Sequence, residues 1–263
     1  MTDISERPTY DSRPIPETTP ADLDPEAVKR FVDRLRRESP HDFGQLTDEE
    51  ILLRKKALAR AEDGVVRPSL AGMLVFSKYP QEFLPSCVVA FTVPKRRPDG
   101  GFDLKRPAAD NVTLVGSIDA IIADASDFLK KHLMPADAAD ESAVMKAEGL
   151  MRAVREAIVN ALVHRDYSPI SLSTRILVQI WPDVVVVMNR KYRGSQVPDT
   201  ADGSSNPVLH ELLSGMNDLN GAPILSERGS GIGLMSRACT SCGLGGPIFE
   251  TSGSEFRVAV FRH

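Results

Sequence analysis

The residues with the clearest chemical potential lie in Arg155-Glu156-Ala157-Ile158-Val159-Asn160-Ala161-Leu162-Val163-His164. The stretch has neither Gly nor Pro and reads as helix, so Glu156, Asn160 and His164 recur at four-residue intervals along one side. Ile158, Ala161 and Leu162 fall on the opposite side and face a core. A carboxylate and a carboxamide one turn apart suit a site where the Asn oxygen ligates a hard cation and the Glu orients or deprotonates a water. On its own an E-x-x-x-N pair is far more often the solvated face of an amphipathic helix. A second segment, Ser226-Glu227-Arg228-Gly229-Ser230-Gly231-Ile232-Gly233-Leu234-Met235, sets glycines at alternate positions before a helix-compatible run. Glycines there let the backbone approach an anion, and the following helix aims its first N–H groups at it.

Together the two segments resemble the GHKL ATPases, in which an E-x-x-x-N helix precedes a glycine-rich loop that closes over nucleotide phosphates. The chain is most similar to a divergent bacterial branch of that group, the RecG-like C-terminal or ATP-binding domains. That branch has R-E-A-I-V-N-A-L-V-H-R-D-Y, a hairpin, a short N-P-x-x helix, E-R-G-S-G-I and a terminal hairpin. Here these are residues 155–167, Ile176–Met188, Asn206–Leu209, 227–232 and Phe249–Phe261. The resemblance implies ATP and Mg²⁺ as cofactors, Glu156 as the catalytic carboxylate and Asn160 as the metal ligand. It places Gly229, Ser230, Gly231 and Gly233 on the phosphates. Better-studied GHKL enzymes read adenine with the Asp of a D-x-G-x-G motif after the second hairpin strand. This chain has Asn189 and Gly194 in that region and no Asp, so the implied adenine contact passes to the Asn189 carbonyl with weaker base preference. The resemblance implies an upstream Schlafen-type AlbA domain in many relatives, and this chain is expected to lack it.

Two other motifs are excluded by order or spacing. His164-Arg165-Asp166 and Asp42-Phe43-Gly44 occur in the reverse of protein-kinase order, with Ser171 where a kinase has Asn. His164 to Tyr167 is expected to cap and anchor the end of the central helix. Cys239 and Cys242 make a single C-x-x-C, half of a zinc site, and read as reduced cysteines near a helix end.

The elements that must position these residues form an α/β chain of the α+β type. The expected C-terminal part, residues 140–263, is a GHKL (Bergerat)-like sandwich of helices over a mostly antiparallel sheet. Residues 1–23, with Pro8, Pro14, Pro16 and Pro20, read as an extended arm. Residues 24–135 read as a helical, winged-helix-like and α+β region. Asp24-Pro25-Glu26 opens a helix carrying Val28, Phe31, Val32 and Leu35, and the capping box at Thr47–Glu50 opens one that carries Leu58 and stops at Asp63-Gly64. Leu70–Phe76 is a short buried helix, Cys87–Val93 a strand, Lys95–Gly101 a turn, and about Leu114 to Leu133 a long helix. Pro135 to Ser142 is the expected boundary. Ser171–Trp181 and Val184–Met188 are paired strands, residues 190–206 a lid-like loop, and Pro207–Leu213 a short helix.

The chain has 263 residues with a hydrophobic fraction of 42%, a charged fraction of 26% and a net charge of −4. No apolar run reaches the roughly 18 residues of a membrane span, and no secretory leader opens the chain, so a cytoplasmic location and no membrane partner are expected. The acidic balance argues against indiscriminate nucleic-acid binding but leaves a local basic patch. Arg30, Arg34, Arg37, Lys55 and Lys56 are the candidates for DNA contact. The functional expectation is a cytoplasmic ATP-binding regulatory module with slow or no hydrolysis. The alternative is a transcription-regulator-like or scaffold module, degenerate in nucleotide binding, acting through DNA, or through a partner or second copy held by the N-terminal arm.

Overall fold

The computed structural model describes residues 9–95, 108–137, 139–169, 171–190, 206–225, 231–253 and 255–263. Of the lid expected over 190–206 and the turn expected over Lys95–Gly101, residues 191–205 and 96–101 lie outside them, as do the site residues Gly194, Gly229 and Ser230. Helix α1 (Pro25–Glu38) starts as its sequence requires: the Asp24 side chain accepts from Glu26 N, and Pro25 supplies the first helical φ. After a short helix α2 (Pro40–Phe43), α3 (Asp48–Arg54) opens on a capping box between Thr47 and Glu50.

That second helix is shorter than its apolar spacing suggests. Lys56 turns to φ +56°, and Leu58 belongs to strand β1 (Leu58–Arg60), paired antiparallel with β2 (Val66–Pro68). Asp63-Gly64 is the turn of this hairpin, with Gly64 at φ +81° and Arg67 holding Asp63. Helix α4 (Leu70–Phe76), capped by Ser69, is buried along its whole length.

Strand β3 (Val89–Val93) pairs with β4 (Asp110–Leu114), so Leu114 ends a strand instead of starting the long helix. Gly116 at φ +112° turns the chain, clamped by buried Gln81, which donates to its carbonyl (3.0 Å) and accepts from its N–H (2.8 Å). Helix α5 (Ile118–Leu133) follows, then the 24-residue helix α6 (Glu141–His164). Strand β5 (Ile176–Ile180) is shorter than Ser171–Trp181 because Asp166 takes the Ser171 hydroxyl (2.6 Å) and folds Ser171–Leu172 into a turn. Then come β6 (Val184–Arg190), α7 (Pro207–Leu213), α8 (Gly231–Thr240), β7 (Ile248–Ser252) and β8 (Glu255–Phe261).

Six strands form one sheet in the order β4-β3-β5-β6-β8-β7. Only β3 and β5 run parallel; the other four pairings are antiparallel. The chain is therefore α+β with a mixed, mostly antiparallel sheet. The β3–β5 pairing carries the sheet across the boundary expected at Pro135–Ser142, and a continuous core joins Phe31 and Leu74 to Leu162 and Val260. On β5, β6 and β8 the buried residues alternate, and Asn189, in the buried set of β6, touches α6; that face lies under the helices.

The described part of the Pro-rich segment is also packed on the chain. Ile15 N donates to Pro68 O, Leu70 N to Arg13 O, and the Asp11 carboxylate accepts from Val208 N (2.7 Å) and Leu209 N (3.0 Å). Of the extended arm expected over residues 1–23, the described residues 9–23 are thus hydrogen-bonded to the rest of the chain. Among the described residues no helix is long and apolar enough to cross a membrane.

Candidate functional site

Helix α6 presents Glu156, Asn160 and His164 half-buried on one side, while Ala157, Ile158, Ala161 and Leu162 are buried. Its C-terminal end is held from several directions. Buried Asn206 donates to the carbonyls of Val163 and Arg165, both at 2.8 Å, and the Tyr167 hydroxyl donates to Leu162 O. Arg165, almost wholly buried, donates to Ser86 O and Thr174 O. The last carbonyls of a helix have no intrahelical donors, and these bonds fix the end of α6 by supplying some.

Asn160 meets the glycine segment directly. A Cβ built on Gly231, the first residue of α8, would come within 2.6 Å of Asn160 Cγ, so any side chain there would displace the Asn160 carboxamide. Glu156 stands one turn before Asn160, and burial pushes its carboxyl above the usual range while neighbouring Arg155 acts against the shift. Among the described residues nothing else hydrogen-bonds or ion-pairs with that carboxylate. The arrangement offers a proton acceptor of raised basicity, an oxygen ligand for a hard cation and a helix start with no side chain at its first position. These donor types fit Mg²⁺ and phosphate. No cluster of three or more His, Cys, Asp or Glu able to hold a metal is found among the described residues.

Asn189 is buried and its amide donates to Ala161 O at 2.9 Å, bracing β6 against α6. Part of the side chain assigned to adenine is thus spent inside the fold. Arg155, adjacent to Glu156, was not singled out by its spacing, yet it ties α6 to the approach to the glycine segment. Its Nη2 donates to Asp218 Oδ2 (2.8 Å) and to Pro223 O (2.9 Å), and Asp218 also accepts from Asn220 N and Ala222 N. The N-D-x-N-G spelling of residues 217–221 signals a turn but not its Arg partner.

Two comparisons with known proteins bear on this chain. Residues 1–88 match DUF8451, a domain of unknown function. A solved structure, the DIP2311 protein from Corynebacterium diphtheriae, superposes with a TM-score of 0.60 at 19% identity over 96% of this chain. The likeness is one of fold. This chain spans 40% of the length of that structure. No curated protein matches.

The basic residues of the N-terminal helices divide into two groups. Arg34 donates to Ser214 O (2.7 Å), and Lys55 pairs with Glu211 (2.8 Å), so both reach the segment around α7. Arg30, Arg37 and Lys56 remain exposed. The first turn of α3 carries Asp48, Glu49 and Glu50 outward, which opposes insertion beside phosphates. Cys239 and Cys242 are free and buried at the end of α8, where Arg152 reaches Cys242 Sγ at 3.7 Å. Gly149 of α6 makes room for them: a Cβ there would lie 2.7 Å from Cys242 Cβ.

Proposed function

We propose that this chain binds a nucleoside triphosphate, ATP with Mg²⁺, against the Glu156–Asn160 side of α6, and that it acts as a cytoplasmic conformational module with slow or no hydrolysis. The observation that carries the reading is the seating of Gly231 on Asn160, with the half-buried Glu156 one turn away. Asn160 Oδ1 is the residue's share of the cation shell, and the N–H groups at the start of α8 receive phosphate oxygen. Bound Mg²⁺ would supply charge neutralisation for the phosphates. Glu156 orients or deprotonates a water, and its raised pKa suits that role. The test is a nucleotide panel with and without Mg²⁺, read by thermal shift and calorimetry. Ligand at a hundredfold above Kd should add about 2.7 kcal/mol of stability by mass action.

A second reading, a scaffold that keeps the fold without the nucleotide, draws support from Asn189, whose amide is bonded to Ala161 O. It predicts a flat nucleotide panel. Under it, contacts to a partner or to DNA run through exposed Arg30, Arg37 and Lys56, and a salt-dependent mobility shift checks the DNA branch.

A further inference from the structure

After α7 the chain closes a tight turn on itself. Ile224 N donates to Met216 O (2.9 Å), Asp218 N to Ala222 O (2.8 Å) and Gly221 N to Asp218 O (2.9 Å), with Gly221 at φ +84°. The Asp218 side chain, 1% exposed, spends one oxygen inside this turn: Oδ1 accepts from Asn220 N (3.0 Å) and Ala222 N (2.9 Å). Its other oxygen, Oδ2, accepts from Arg155 Nη2 of α6, and the same nitrogen donates to Pro223 O.

A buried ion pair is a poor device for stability alone, because taking both charges out of water cancels much of their attraction. It supplies direction and charge, which an apolar contact cannot. The direction is toward the site. Arg155 holds the chain at Pro223, and Asn160 meets it again at Gly231, from positions five residues or roughly 7.5 Å apart along α6. The charge also bears on the site. Arg155 precedes Glu156, and its guanidinium favours the ionised carboxyl against the rise that burial causes. Asp218 is the counter-ion of that guanidinium among the described residues, and Arg155 Nε is buried without a partner.

We infer that Arg155 and Asp218 are positioning residues of the Glu156–Asn160 site, a buried ion pair that seats the 216–224 turn on α6 and offsets the Arg155 charge beside the Glu156 carboxylate. The inference rests on the nucleotide reading for what the site binds. Neither residue is a ligand contact. Neutralising Asp218 leaves the guanidinium free to stabilise ionised Glu156, and removing the guanidinium leaves the Asp218 charge unopposed and does the reverse.

The experiment titrates the full chain, isotope-labelled at its Glu side-chain carboxyls, by NMR, with the Glu156 signal identified as the one that Glu156→Gln removes. Asp218→Asn keeps an oxygen for the two turn N–H groups and loses the charge. Its Glu156 midpoint should fall below that of the parent, whereas in Arg155→Gln the midpoint should rise. Loss of burial alone would lower both, so the opposite signs separate the pair's role from a loosened fold. Mg²⁺-ATP affinity by calorimetry should drop about tenfold in Asp218→Asn, within the usual range of coupling between two places in one protein. Midpoints that move together, a midpoint unmoved in either variant, or parental Mg²⁺-ATP affinity in Asp218→Asn overturns the inference. If the parent chain binds no nucleotide while the two midpoints move apart, the pair stands and the nucleotide reading alone falls.

Discussion

Gly231 lies over the Asn160 carboxamide so closely that a single methyl group at Gly231 would reach to 2.6 Å from Asn160 Cγ. The two residues act as one unit. Gly231→Ala should push the carboxamide aside and lower Mg²⁺-nucleotide affinity at least as much as Asn160→Ala, by about tenfold or more. Because the methyl acts through the clash, adding Gly231→Ala to Asn160→Ala should cost little further. A double-mutant cycle by calorimetry measures this; simple additivity would mean the contact does not matter for binding.

Burial of Glu156 penalises its charged form, so its folded pKa is raised. A carboxyl raised on folding contributes least at high pH, and its penalty disappears once both states are protonated. Glu156→Gln should therefore unfold at a higher temperature than the parent at pH 7. The gap should close as pH falls through the folded pKa towards the ordinary value of 4.5. The same variant should keep nucleotide affinity and lose any turnover. Thermal melts over a pH series, with a phosphate-release assay, check both statements.

Asp11 ties the N-terminal segment to α7 by accepting from two buried N–H groups, and its second oxygen has no partner. Asp11→Ala should cost about 2 kcal/mol, the range for losing a cap and stranding buried donors. Asp11→Asn should cost far less, since an amide oxygen still accepts and burial already raises the Asp11 pKa. Urea unfolding of the two variants separates these outcomes.

Asp218 is almost completely buried and faces Arg155 at 2.8 Å. Asp218→Ala should destabilise by about 3 kcal/mol, because it leaves two turn N–H groups without their acceptor and the Arg155 guanidinium without its counter-charge, with only Pro223 O to accept from it. It should also weaken nucleotide binding, although Asp218 is not itself a proposed ligand contact. Denaturant melts and calorimetry on one sample test the pair.

Local rules accounted for the elements with self-contained signals. Asp24-Pro25-Glu26 and the Thr47–Glu50 capping box begin helices because the side chains that satisfy the first N–H groups are a few residues away. The apolar run Val184–Met188 reads as a fully buried strand; the strand forms, but only alternate residues of it are buried, because helices cover one face of the sheet. Glu156 and Asn160 share a face because α-helical geometry puts them there.

What tertiary structure alone decided is which distant groups meet. Leu58 carries helix-like spacing, yet Lys56 turns left-handed and Leu58 pairs with Pro68 across a hairpin. Strand β4 has the exposed residues of an edge, and only its partner β3 makes it a strand. Arg34 and Lys55 read as a solvated basic face, but Ser214 and Glu211 come from far along the chain to take them. Asp11 sits in a Pro-rich stretch that has little to bury alone, and the free N–H groups of α7 order it. In each case the deciding contact is made by a partner that the segment itself does not contain, a buried hydrogen bond at Asp11 and an exposed ion pair at Lys55, and no local pattern of residue types encodes that partner.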